Sequence, residues 1–203
     1  MNRKIYLLAF IICLAGVASL VFIFRGDLSR NVPKGDIVSE KIIHLNLDQD
    51  KKDESVSLKS YKEGDNTIFI LTISKSWFLA QSVSLSGFQD EVKFCDPVSY
   101  NFSDDNLLCL IGNVGAHSQN IQFVAYKDRK IDVVKFKTES GETANMVSDE
   151  PNFAINHDLN LIHVDNRNYE LDPLSDALRT TYRYRNGVFT FVETSDIVLG
   201  SSI

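Results

Sequence analysis

The chain has 203 residues, 44% of them apolar and 24% charged, so it can bury a sizeable core and does not have the composition of a disordered chain. Its formal charge of −6 is unevenly spread: Arg3, Lys4, Arg25, Arg30 and Lys34 stand against Asp27 alone, leaving the rest of the chain more acidic than the whole. Acidity on that scale argues against a nucleic acid partner, which needs clustered Lys and Arg, and against docking on anionic headgroups.

Ile5 to Phe24 is an apolar run interrupted only by Gly16 and Ser19. At about 1.5 Å per residue, roughly 20 residues in a helix cross a hydrocarbon core of ~30 Å. Arg3 and Lys4 precede the run and Arg25 closes it. A cleaved signal peptide is the rival reading. Gly16 and Ala18 could serve as the small residues before a cut at Ser19, but Leu20-Val21-Phe22-Ile23-Phe24 would then follow the cut as a poor mature N-terminus, and the run exceeds the usual 7–15 residues of a cleaved apolar region. The run therefore reads as an uncleaved anchor over 1–25, with Cys13 inside the bilayer. A short tail carrying Arg3 and Lys4 stays inside, which puts the C-terminal bulk outside the cytoplasm, although Arg25, Arg30 and Lys34 pull the other way.

Residues 26–36, rich in Gly, Ser, Asn and Pro, read as a linker, and residues 37–203 as an extracytoplasmic β-rich domain. Alternation of period two dominates from there. Ile43, Leu45 and Leu47 alternate with polar residues, as do Val56 and Leu58, Val83 and Leu85, Val92 and Phe94, Ile121 and Phe123, and Val134 and Phe136. Thr67 to Ile73 is nearly continuous and suits a strand buried on both faces. Lys127 to Lys130 is expected to turn a hairpin. Asn186-Gly187 supplies the left-handed residues of a type I′ turn, pairing 185 with 188, 184 with 189 and 182 with 191. That register places Tyr182, Tyr184, Phe189 and Phe191 on one face, the core side, and Arg183 and Arg185 on the other. Only Pro173 to Thr180 looks able to form a short helix. The fold expected is mainly β, of antiparallel strands and hairpins, as a small sandwich or a partial propeller-like array after one N-terminal transmembrane helix.

Two cysteines fall in the domain, Cys95 and Cys109. An even pair in an oxidising compartment suits a disulfide, worth on the order of 3 kcal/mol for a short loop, and two buried thiols are the alternative. Of the four histidines, His44, His117, His157 and His163, none stands at metal-ligand spacing from another His or Cys. Cys109 and His117 can be imagined as a nucleophile and its base, but no nucleophile elbow, phosphate loop or zinc signature accompanies them, and no catalytic residue is assigned.

One stretch carries recognisable chemistry. In Asn46-Leu47-Asp48-Gln49-Asp50-Lys51-Lys52-Asp53-Glu54, oxygen-bearing side chains fall at positions 1, 3, 5 and 9. Alternate positions of a tight turn converge on one point, and a hard cation takes six to eight oxygens in such an arrangement. The stretch resembles the FG-GAP/VCBS-type repeat loop, D-x-[D/N]-x-D-G-x-x-[D/E], which binds Ca²⁺ ahead of a strand in β-propeller blades such as those of integrin α-subunits. The resemblance implies Asn46, Asp48, Asp50 and Glu54 as ligands, with the Lys52 carbonyl. It departs at Asn46, where the family has Asp, and at Lys51, where the family has the Gly that eases the turn. A solvated polar turn is the alternative. Asp158-Leu159-Asn160, with the Asn/Asp-rich stretch 165–172, reads as an Asn/Asp turn cluster or a degenerate second copy.

Together these features describe a membrane-anchored binding or interaction module, Ca²⁺-stabilised if the loop is filled, with a protein or carbohydrate partner. The alternatives are an extracytoplasmic hydrolase-like enzyme with a scattered site and an accessory structural subunit of an envelope complex. Alkaline extraction of membranes tests the anchor: the full-length chain is expected in the pellet, and its release to the supernatant would remove the anchor from the account.

Overall fold

The computed structural model describes residues 33, 35–76, 79–103, 105–114, 119–144, 146–148, 152–156, 158–167 and 176–198. The anchor expected at 5–24, with Cys13, and His117, His157 and residues 168–172 lie outside them. Among the described residues no helix is long and apolar enough to cross a membrane.

The described chain is β throughout. Strands β1 (Asp36–Leu45), β2 (Glu54–Glu63), β3 (Asn66–Ser76) and β4 (Leu79–Leu85) form an antiparallel meander in the order of the chain. Strands β5 (Val92–Phe102), β6 (Asp105–Asn113), β7 (Gln119–Lys127) and β8 (Lys130–Val133) form a second. The chain then crosses through three short strands, β9 (Lys135–Lys137), β10 (Thr143–Ala144) and β11 (Met146–Ser148). A third meander follows: β12 (Asn152–Asn156), β13 (Leu161–Arg167), β14 (Asp176–Arg185) and β15 (Val188–Val198). Strand β9 adds to the edge of the third sheet, parallel to β15, and β11 adds to β7 of the second.

The middle sheet explains the stacking. In β6, Leu107, Leu108, Cys109, Leu110 and Ile111 are all buried, so this strand has no solvent face. Leu108 and Leu110 join Val124 and Tyr126 of β7 in a core with Val56, Leu58, Leu71 and Ile73 of the first sheet. Leu107, Cys109 and Ile111 join Phe123 in a second core with Phe136, Ile162, Tyr182 and Phe189. That core is largely aromatic. The rings of Phe136 and Phe189 stack with centroids 4.6 Å apart, and Phe102 meets Phe189 edge-on at 5.2 Å; such pairs add to area burial.

The expected hairpin is present with its expected register, Tyr182 opposite Phe191, Tyr184 opposite Phe189 and Arg185 opposite Val188. Asn186 and Gly187 carry the positive φ angles of 50° and 79° that the turn requires. The Lys127–Lys130 hairpin also forms, with Asp128 and Arg129 both left-handed. Two expectations are corrected. Residues 176–180, taken as part of a short helix over Pro173 to Thr180, lie in β14, paired with β13 on one side and β15 on the other. Two waiting strands outweigh a weak local preference of Asp-Ala-Leu-Arg. Asp36, assigned to the linker, is already paired with Lys62 at the start of β1.

Phe189→Ala is expected to lower unfolding free energy by about 3–5 kcal/mol, since it opens a cavity among four aromatic rings. The neighbouring Thr190→Ala, on an exposed side chain, should stay within about 0.5 kcal/mol. Denaturant unfolding of both checks the face assignment, and equal losses would contradict it.

Candidate functional site: the loop end of the stacked sheets

A meander returns alternate connections to the same end. The connections β1–β2, β5–β6 and β12–β13 therefore gather with the β7–β8 and β14–β15 hairpins, and hydrogen bonds tie this end together. Asn106 Nδ2 donates to the Asn46 carbonyl at 2.8 Å, joining the first sheet to the second. The Ser103 N–H donates to Asn160 Oδ1 at 2.6 Å, joining the second to the third. Tyr184 Oη donates to Asp105 Oδ2 at 2.9 Å, and Lys127 Nζ reaches Asp105 Oδ1 at 3.2 Å. Burial, then the bond to Asp105, pushes the Tyr184 phenol well above its ordinary range.

Loop 46–54 is folded by its own acids. Asp48 Oδ1 accepts the Asp50 N–H at 3.2 Å and Asp50 Oδ1 accepts the Lys52 N–H at 2.7 Å, two side-chain-to-backbone turns in succession. Asn46 Nδ2 donates to the Asp50 carbonyl. The left-handed residue is Gln49, with φ 59°, so Lys51 takes its place in the loop without a positive φ. Glu54 opens β2 and is fully buried, its Oε2 accepting the Leu47 N–H at 2.8 Å.

Carboxylate oxygens of Asp48, Asp50 and Glu54 lie within 4.8 Å of one another. Lys75, from β3, stands among them. Its ammonium pairs with Asp48 and with Asp50, and sits 3.6 Å from Glu54 Oε1. The bonds to Asp48, then Asp50, hold the Lys75 ammonium well above its ordinary pKa. The bond from Lys75, then that from the Lys52 N–H, hold Asp50 below the usual carboxylate range. Glu54 Oε1 and Asn46 Oδ1 are buried and accept no hydrogen bond. Of the residues that the resemblance implies, the structure thus gathers Asp48, Asp50 and Glu54, and it leaves Asn46 tied to the loop through its Nδ2. Lys52 bonds to the loop through its N–H.

Two concavities open on the same end. One of about 440 Å³ lies between the acid loop and the β7–β8 hairpin, walled by Asp48, Lys75, Tyr126 and Arg129. The other, about 860 Å³, lies between the second and third sheets, walled by Asp132, Asp158, Arg183 and Arg185. They share Asp105, Ala125 and Lys127.

The Sγ atoms of Cys95 and Cys109 stand 2.02 Å apart, with Cα atoms at 5.4 Å, and Cys109 is fully buried. In that arrangement Cys109 offers no thiolate for a Cys/His pair. His163 Nδ1 is engaged by Thr181 Oγ1 at 2.9 Å, and His44 is exposed on β1.

Lys75 was missed from the sequence. The signal that finds it is register: the β2–β3 ladder ends where Ser55 pairs with Ser74, and Glu54 and Lys75 are the next residues on the two strands. The second Asn/Asp cluster gains a place as well. Asn46-Leu47-Asp48, Asn101-Phe102-Ser103 and Asn156-His157-Asp158 are evenly spaced along the chain and enter the first connection of each of the three meanders. Only the first connection carries the full set of acids.

Comparison with known proteins finds no family profile, no characterised protein and no solved structure that matches this chain. The likeness of loop 46–54 to FG-GAP/VCBS loops stands on its own residues.

Tyr184→Phe is expected to destabilise the domain by about 1 kcal/mol, because it deprives a part-buried carboxylate of a hydrogen bond. Lys127→Ala removes a mostly exposed partner of the same carboxylate and should change stability by at most about 0.5 kcal/mol. Thermal unfolding of the two variants reads the difference, and the reverse order would contradict the packing of this end.

Proposed function

We propose that the chain is an interaction module, held at the membrane by residues 5–24 and displayed outside the cytoplasm, that presents its loop end to a protein or carbohydrate partner. The observation that carries this reading is the pair of adjoining concavities on one end, joined through Asp105 and Lys127 and walled by side chains of both charges. Charged groups on loops held by a rigid sheet stack suit recognition of a polar partner. Binding, rather than hydrolysis, is the activity to test first. The three consecutive four-stranded meanders, stacked face to face, support a partial propeller-like array as the architecture, and blade-like arrays bind at their loop ends. The Cys95–Cys109 pair supports a disulfide formed in an oxidising compartment, consistent with the short basic tail staying inside.

We further propose that loop 46–54 is a cation site of the Ca²⁺ type. All its donors are oxygens, which suits a hard divalent ion. The buried, unbonded Oε1 of Glu54 and Oδ1 of Asn46 are the observation in its favour, since a buried oxygen without a donor is costly. Asp48, Asp50, Glu54 and Asn46 would hold the ion, with the Lys52 carbonyl that the resemblance implies. Its chemistry there is structural: it fixes the connection between β1 and β2.

A photo-crosslinking amino acid placed in living cells at Asp128 or Arg185, both exposed on the loop end, should trap a discrete adduct. Placed at Ser82 or Ser84, exposed on the first sheet away from this end, it should trap none. Adducts of equal yield at all four positions, or none at Asp128 and Arg185, would overturn the loop end as the binding surface.

A further inference from the structure

The Glu54 carboxyl is shut off from solvent at the mouth of β2. It is 0% exposed, one oxygen takes the Leu47 N–H, and the other has no hydrogen-bond donor. A buried carboxylate left in that state is costly unless a cation stands close. The nearest is the Lys75 ammonium, 3.6 Å away and already bonded to Asp48 and Asp50. Its position follows from the strands, because Glu54 and Lys75 are the residues just beyond the Ser55–Ser74 pair that ends the β2–β3 ladder.

We propose that Lys75 is the resident cation of the acid loop and that a divalent ion enters only by displacing its ammonium. The loop then has two alternative charge-balanced states, one closed by Lys75 and one by the ion. This inference rests on reading loop 46–54 as a cation site and adds how that site is regulated.

Three observations support it. First, the ammonium and an ion coordinated by the same carboxylates compete for one point, and like charges at about 4 Å repel strongly away from bulk water. Second, three carboxylates against one ammonium leave the cluster negative, so a divalent ion is a better match in charge than the lysine alone. An ammonium offers three donors and no more than one charge, and here it comes within hydrogen-bonding range of Asp48 and Asp50 but not of Glu54. Third, the Lys75 side chain is 21% exposed, so its flexible stem can swing the ammonium to water with no change in the β3 backbone. An ion that must first expel a lysine binds more weakly by the fraction of time the site stands open. The ion-free loop, in turn, keeps its fold because the lysine holds the acids together.

The test uses the full-length chain in detergent micelles, wild type and Lys75→Gln, with Ca²⁺ as the probe and Mg²⁺ as the control. Calorimetry should show Ca²⁺ binding about tenfold or more tighter in Lys75→Gln, as expected when the competing state was the major one. In chelator the variant should melt below wild type, and Ca²⁺ should restore it. In the wild-type protein, Ca²⁺ should raise acylation of Lys75, read by peptide mass spectrometry, and leave exposed lysines such as Lys130 unchanged. The labelling arm decides the matter even if the variant folds poorly. Equal Ca²⁺ affinity in both proteins, with Lys75 labelling unchanged, would overturn the competition and leave the cation site standing. If neither protein binds Ca²⁺, the cation-site reading fails and the competition with it.

Discussion

The second sheet is apolar on both of its faces, and much else in the molecule follows from that. A strand such as β6, with Leu107, Cys109 and Ile111 on one side and Leu108 and Leu110 on the other, exposes two hydrophobic surfaces unless each is covered. One cover is the first sheet, whose β2 turns Val56 and Leu58 inward and Ser55 and Ser57 outward. The other is the third sheet with its aromatic face. The outer sheets need only one apolar face each, and their polar outer rows fit that role: Thr72 with Ser82 on the first, Asp165 with Arg179 on the third. Three layers with two cores are what this distribution of apolar residues can bury.

Stacking three meanders in register also sets the chemistry. Each brings its first connection and its last hairpin to the same end, so polar groups from distant parts of the chain meet there. Asp105 serves two partners, Tyr184 and Lys127, and Asn160 caps a backbone N–H of a neighbouring sheet. The acid loop lies at one side of this end, and its internal turns place three carboxylates where β3 delivers a lysine. A connection that would fly apart by self-repulsion is thereby held in one conformation. The same arrangement leaves the two concavities open beside it, lined by side chains of both signs.

The local rules of the sequence carried the strands and hairpins. Asn186-Gly187 announces its turn and, with it, the pairing of Tyr184 with Phe189. The Val56 and Leu58 alternation specifies a half-buried strand, whereas the unbroken Thr67–Ile73 run suggests a strand covered on both faces and β3 instead turns Phe69, Leu71 and Ile73 into the core, with Thr72 on the outer face beside Ser82. The acid loop was visible too, since its ligand-like spacing is local. What the sequence concealed is non-local. The stretch 176–180 looks helical only when β13 and β15 are ignored. The parallel addition of β9 to β15 depends on a crossover that no window of residues contains. Lys75 lies far from the acid loop in the chain, in a segment whose own pattern speaks only of a strand, and its role appears once the β2–β3 ladder is drawn. The recurrence of Asn46, Asn101 and Asn156 became meaningful only when each was seen to enter the same connection of a meander.

The central claim is that one doubly covered sheet organises the whole. Native-state hydrogen exchange measures it directly. The amides of Leu107 to Ile111 in β6 should be the slowest in the protein, exchanging together only on global unfolding, while Asp36 to Ile42 of the exposed edge strand β1 open locally and far faster. Exchange of β6 amides as fast as those of β1, or by an opening that leaves the outer sheets protected, would contradict the account.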